Sequence, residues 1–91
     1  MEIKILKATG KDMALIKKYI KKFKLDPENL KTEQFIVAKH NNKLVGFGRL
    51  KPYADCTELG AVGVVPAYRD KGIGKKIIGE LIKRDPENIY I

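Results

Sequence analysis

The sequence is poor in the residues that extracellular, metal-binding and membrane proteins depend on. It has one cysteine, one histidine and no tryptophan in 91 residues. A lone thiol, Cys56, cannot form an internal disulfide, which suits a reducing cytoplasm. His40 and Cys56 lie far apart and make no ligand set, so no metal is expected. Apolar runs are too short to cross a bilayer. The start, Met-Glu-Ile-Lys-Ile, lacks the apolar stretch of a secretory signal, so no leader is expected. Two phosphate-binding patterns are also missing. There is no Gly-Lys-Ser/Thr of a Walker loop, and no third glycine stands at Ile77 to complete a dinucleotide fingerprint. Acidic residues are few, 11 against 19 lysines and arginines, leaving a net charge of +8. That surplus fits nucleic acid, an anionic cofactor or simple solubility. Without a stacking aromatic platform, a helix-turn-helix or a zinc pattern, a nucleic-acid partner is not expected. The lysines of residues 1–24 are read as a solvated face.

What is present reads as one small domain over residues 1–91 with a single modest core. Ile3 and Ile5 alternate with Glu2 and Lys4, a short strand over 2–6. Thr9 is an N-cap with Asp12 three residues on, and a helix follows over 10–23. Its stripe of Met13, Ile16, Ile20 and Phe23 faces a core. Asp26-Pro27 suggests one short helical turn in a polar connector over 25–33, a stretch that could also border a substrate. Strands follow at 34–39 and 43–50 around an Asn41-Asn42 turn, then at 56–65 after a turn at 51–55. A second helix spans 72–84, residues 85–88 break it, and a last strand begins at 88–91. His40, in a turn, is expected at the surface.

Residues 60–74 organise the rest. The apolar run 61–65 is a buried strand that Pro66 ends. Then come Arg69, Asp70, Lys71, Gly72, Ile73 and Gly74, and from Ile73 onward apolar residues recur at helical spacing. Strand, glycine turn and helix N-terminus in that order make an anion site, because the first helical N–H groups are free and the dipole favours negative charge. Gly72 and Gly74 let a phosphate approach the backbone. The bland alternative is a strand-to-helix turn that merely needs two glycines.

Val64-x-Pro66-x-Tyr68-Arg69-x-x-Gly72-x-Gly74, on this order of strands and helices, resembles the GNAT superfamily of N-acetyltransferases. Each fixed position of the motif Arg/Gln-x-x-Gly-x-Gly/Ala is matched by Arg69, Gly72 and Gly74. The resemblance implies an α/β acyl-CoA N-acyltransferase fold: a mixed, mostly antiparallel sheet with two main helices, here truncated after the fifth strand. It implies that the strand at 88–91 runs parallel to the strand at 56–65. It implies acetyl-CoA as co-substrate, a primary amine as acceptor, and direct transfer without a metal or a cysteine nucleophile. By the same resemblance, backbone groups of Val62, Gly63 and Val64 hold the pantetheine arm. Arg69 opens the cofactor-binding motif, and backbone amides of Asp70, Lys71, Gly72, Ile73, Gly74 and Lys75 wrap the pyrophosphate.

Glu58 corresponds to a glutamate that serves several members as general base, and an alkyl ammonium must lose a proton before it can attack a thioester. The alternative is a solvated residue paired with a lysine. Side chains alternate along a strand, so without a bulge Glu58 shares a face with Gly60 and Val62. The chain stops before the helix and two strands with which members usually continue. The leaving-group function would then come from another subunit or from solvent. Otherwise the protein is an acetyl-CoA-binding sensor or interaction module with little catalysis. The bare edge near Ile89–Ile91 is expected to pair with a second copy as a homodimer.

Overall fold

The run Phe35-Ile36-Val37-Ala38 is apolar at every position because both of its faces are covered. Phe35 and Val37 point into one core cluster, and Ile36 and Ala38 into another on the opposite face. The computed structural model describes residues 2–53, 56–84 and 89–90. It shows one five-stranded sheet ordered β1 (Lys4–Lys7), β2 (Phe35–His40), β3 (Lys43–Pro52), β4 (Thr57–Val64) and β5 (Ile89–Tyr90). β1 to β4 are antiparallel neighbours. β5 runs parallel to β4, with Thr57 opposite Ile89 and Glu58 opposite Tyr90, as a crossover through a helix requires. The expected fold class and strand directions are therefore those observed.

α1 (Gly10–Lys22) covers one face and α2 (Ile73–Arg84) the other. From α1, Met13, Ile16 and Ile20 pack on Phe35, Val37, Leu44 and Phe47. From α2, Ile73, Ile77 and Leu81 pack on Ile36, Ala38 and Val45. Fully burying one such aliphatic side chain contributes about 1.5–3 kcal/mol, so these two stripes dominate the fold's stability. Among the described residues, no helix is long and apolar enough to cross a membrane.

α2 sits unusually close to β3. A Cβ on Gly48 would lie 2.4 Å from Ile77 Cγ2 and 2.8 Å from Leu81 Cδ1. Gly46 and Gly48, which from sequence alone read as weak points or bulges of the strand, thus form a seat for the helix. A bulge does fall near Gly46, where the β2–β3 register shifts between Ala38 and Lys39.

α1 starts with the expected pairing of Thr9 and Asp12. The Thr9 N–H donates to Asp12 Oδ2 at 2.9 Å and the Thr9 hydroxyl donates to the same oxygen at 3.1 Å. Asp12 Oδ1 also accepts from Lys39 Nζ at 3.1 Å, which ties the helix start to β2. Burial pushes the Asp12 carboxyl up. The Thr9 N–H, the Lys39 ammonium and the Thr9 hydroxyl outweigh it, and the pKa lies below the usual carboxylate range.

The connector differs from expectation. No helical turn forms at Asp26-Pro27. Asp26 Oδ1 instead accepts the Glu28 N–H at 3.0 Å, and this local bond competes with helical pairing. A single 3₁₀ turn forms later, at Thr32–Gln34. The proposed turn at Asp55, the helix break at 85–88 and Ile91 lie outside the described residues.

Two outcomes follow for stability. Gly48→Ala should destabilise the protein by about 1–3 kcal/mol, because Ile77 and Leu81 must shift; urea titration measures this. Asp12 has a depressed folded pKa, so its contribution is complete above the unfolded carboxyl value near ~4 and is lost as pH falls through the folded value. Unfolding free energy measured against pH should therefore drop below about pH 4, with a shallower drop in Asp12→Asn.

Candidate functional site

β4 holds one residue more than β3 can pair. Gly60 faces Arg49 and Gly63 faces Phe47, so Ala61 and Val62 both lie against Gly48. This is a β-bulge, and it bends the strand where the expected pantetheine-binding residues begin. Ala61 takes a φ of 50° to make it. A non-glycine residue there costs about 1–2 kcal/mol.

The bulge corrects the face expected from simple alternation. Val62 packs with the α2-side cluster. Glu58 lies opposite Lys51, whose Nζ reaches Asp26 in the loop after α1. Glu58 and Val62 therefore occupy opposite faces. Glu58 is exposed and leans along the α1 face toward the bulge: a Cβ on Gly60 would be 3.7 Å from its Oε1. Its cross-strand lysine pairs instead with Asp26, at 3.2 Å, so the carboxylate of Glu58 has no ion-pair partner among the described residues.

Beyond Val64 the chain makes a 3₁₀ turn at Pro66–Tyr68 and enters α2 through two left-handed residues, Asp70 (φ 64°) and Gly72 (φ 78°). Such alternation turns successive N–H groups toward one point, forming an anion-binding concavity. The first helical bond runs from the Lys76 N–H to Gly72 O, 3.2 Å. The N–H groups of Ile73, Gly74 and Lys75 precede it and point out of the helix end. The first turn of α2 holds Lys75 and Lys76 and no acidic residue. Cations at a helix N-terminus oppose the macrodipole, so this end lacks the anion that Asp12 gives α1.

These pieces meet in one cleft of about 380 Å³. Val62, Gly63, Val64, Arg69, Asp70, Gly72, Ile73 and Gly74 line it, as the sequence reading grouped them. Lys71 and Lys75 are exposed and do not line it, and neither does Glu58. Arg69 turns inward. Its Nε donates to Val64 O at 3.0 Å and its guanidinium lies over the Phe23 ring at 5.0 Å. It braces the turn against β4 and the end of α1.

Phe23 and Tyr68 complete the lining. Its spacing on α1 reads Phe23 as core, since helical periodicity cannot separate a core position from a cleft wall at a helix end. His40 had been expected at the surface. It is half-buried, with Nδ1 3.3 Å from the Tyr68 hydroxyl and its ring edge-on to Tyr68. The reason is that β2 runs through His40 and ends beside the 3₁₀ turn.

A family model described as "Acetyltransferase (GNAT) family" matches residues 7–90. N-acetylglutamate synthase from Neisseria gonorrhoeae, solved with coenzyme A and L-arginine, superposes with a TM-score of 0.81 at 24% identity, over 94% of this chain and 22% of that one. Rv2747 from Mycobacterium tuberculosis, solved with CoA and NLQ, gives 0.77 at 28% identity, over 89% and 56%. Diaminobutyrate acetyltransferase EctA from Paenibacillus lautus, solved with L-2,4-diaminobutyric acid and coenzyme A, gives 0.71 at 18%, over 89% and 57%. The chain thus spans between about a fifth and just over half of these proteins. No curated protein matches.

Gly74 offers a direct test of the anion site. A Cβ there would sit 3.8 Å from Val64 Cγ2, an ordinary contact, so substitution should leave the fold intact. Gly74→Asp should weaken binding of inorganic pyrophosphate at least ~10-fold, about 1.4 kcal/mol, and Gly74→Ala should weaken it less. Calorimetry with circular dichroism on each variant reads both quantities.

Proposed function

Because the chain belongs to the acetyltransferase (GNAT) family, we propose that it transfers an acetyl group from acetyl-CoA to a primary amine by direct attack. The observation that carries this reading is the N-terminus of α2, where outward N–H groups, two left-handed residues and two lysines meet with no acidic residue in the first turn. A pyrophosphate supplies the missing anion. The cleft also runs from this end to the bulged part of β4, so one elongated ligand reaches both.

In this reading the backbone from Asp70 to Lys75 holds the pyrophosphate, and Lys71 and Lys75 add positive potential from outside the cleft. Arg69 fixes the turn rather than contacting the phosphates. Backbone groups of Val62, Gly63 and Val64, which line the cleft from the bulge onward, align the pantetheine arm. Acetyl-CoA supplies an activated thioester carbonyl, whose C–S bond breaks as the amide C–N bond forms. Glu58 acts as general base through a water, taking the proton that the ammonium loses before attack. Its carboxylate, on the α1 face and without an ion-pair partner among the described residues, supports an acceptor on that side of the sheet. Cys56 takes no covalent part. The protein works in the cytoplasm, without a metal, as a homodimer through the outer strand β5.

Glu58→Gln keeps shape and removes the base. We expect kcat to fall roughly 10²–10⁴-fold, with coenzyme affinity nearly unchanged and the deficit shrinking at high pH, where free amine is abundant. An amine panel with free-thiol detection measures this. Wild-type turnover by Glu58→Gln near neutral pH would remove the base assignment. Tight acetyl-CoA binding by the wild type without turnover of any amine would favour an acetyl-CoA sensor.

A further inference from the structure

A second concavity, larger than the coenzyme cleft at about 740 Å³, opens between the C-terminal half of α1 and the loop that follows it. Its floor and far wall are apolar, made by Ile20, Leu25, Pro27 and Leu30. Lys17, Lys21 and Lys24 line it as well. All three lysines are exposed, and none has an ion-pair partner among the described residues. We propose that this groove docks an acidic peptide segment of a partner protein, with aliphatic side chains on the floor and carboxylates against the three lysines. The groove and the coenzyme cleft share no lining residue, so the proposal goes beyond the acetyl-transfer reading.

Three observations carry it. First, the loop wall is fixed in place. Arg49, only 1% exposed, donates from Nη2 to Glu28 O and Asn29 O, both at 2.8 Å, and from Nε to Gln34 Oε1 at 2.8 Å. The Lys51–Asp26 pair and the bond from the Leu25 N–H to Ile20 O hold the near end. A wall fixed in this way needs little ordering when a ligand arrives. Second, Lys24 follows the C-cap Phe23 at the position where helices favour glycine, and it adopts φ 57°. A side chain is retained there against the backbone preference, and it faces the groove. Third, the chemistry selects the partner. Three unpaired ammonium groups beside an apolar floor complement carboxylates interspersed with aliphatic groups. No aromatic side chain lines the groove, so it lacks a platform for stacked bases. Its floor is recessed, Ile20 being 1% exposed, so a bilayer surface cannot reach it as it would reach a protruding apolar face.

The test is fluorescence anisotropy on the full chain with a labelled synthetic peptide of alternating glutamate and leucine. Saturable binding is expected, and it should weaken ~10-fold or more when Lys17→Glu and Lys21→Glu are combined. Lys4→Glu with Lys43→Glu changes the net charge equally at exposed sites away from the groove, and should leave binding within about twofold. A glutamine–leucine peptide should bind more weakly than the glutamate one. Lys24→Gly should raise the melting temperature by a few degrees while weakening the peptide, which separates docking from folding. Equal losses in the two double variants would overturn the proposal in favour of net charge alone. Absence of saturable binding would overturn it, as would tighter binding of single-stranded oligothymidylate or of anionic phospholipid vesicles. Coenzyme A calorimetry on the Lys17→Glu, Lys21→Glu protein should match wild type; failure there alone would concern the coenzyme reading instead.

Discussion

Between Gly60 and Gly63, β4 carries a residue that β3 has no partner for, and the architecture of the cleft depends on how that excess is absorbed. Ala61 takes it up in a left-handed conformation. The strand bends, Val62 turns to the α2 face, and the backbone of the next residues lines an open cleft. β5 meets β4 at Thr57 and Glu58, before the bulge. Beyond the bulge, Gly63 and Val64 still pair with Phe47 and Gly46 of β3 and also line the cleft. Gly48, directly across, has no side chain to obstruct either the bulge or α2.

The two helices begin in opposite electrostatic conditions. α1 carries its own counter-charge, Asp12, hydrogen-bonded to Thr9 and paired with Lys39. α2 begins with lysines and a concave turn of N–H groups. The first helix end is complete without any ligand, and it anchors one face of the sheet. The second has no acidic residue in its first turn, which is the arrangement expected where binding rather than stability has shaped the local sequence.

Much of this was legible in the residues. β1 announced itself through alternation and both helices through helical spacing, while β2 to β4 showed as apolar, β-branched runs bounded by turn residues. The glycine turn was legible because backbone that must approach an anion closely tolerates few residue types. The seat of the bulge at Ala61 was not, because Ala61 is an ordinary strand residue and its conformation is imposed by pairing with β3. For the same reason the relation between Glu58 and Val62 came out wrong by one face. Phe23, Tyr68 and His40 were missed as neighbours of the cleft because they come together from three separate elements, and only tertiary packing joins them. The role of Arg49 was equally hidden, since its partners are two backbone carbonyls and a glutamine amide from a loop with no motif.

Those neutral partners give Arg49 a second property. Its hydrogen bonds are satisfied, yet among the described residues no carboxylate forms an ion pair with it. The protein thus has two kinds of positive charge on the α1 face. The lysines are solvated, and salt screens them over about 8 Å at physiological ionic strength. Arg49 is buried, so ions cannot gather around it, and its field is partly felt at Asp26, whose carboxyl lies below its ordinary value first through the Glu28 N–H and Lys51 and last through Arg49. Salt therefore weakens the pull of the lysines on anions, while the bonds by which buried Arg49 holds the Glu28 and Asn29 carbonyls are screened much less.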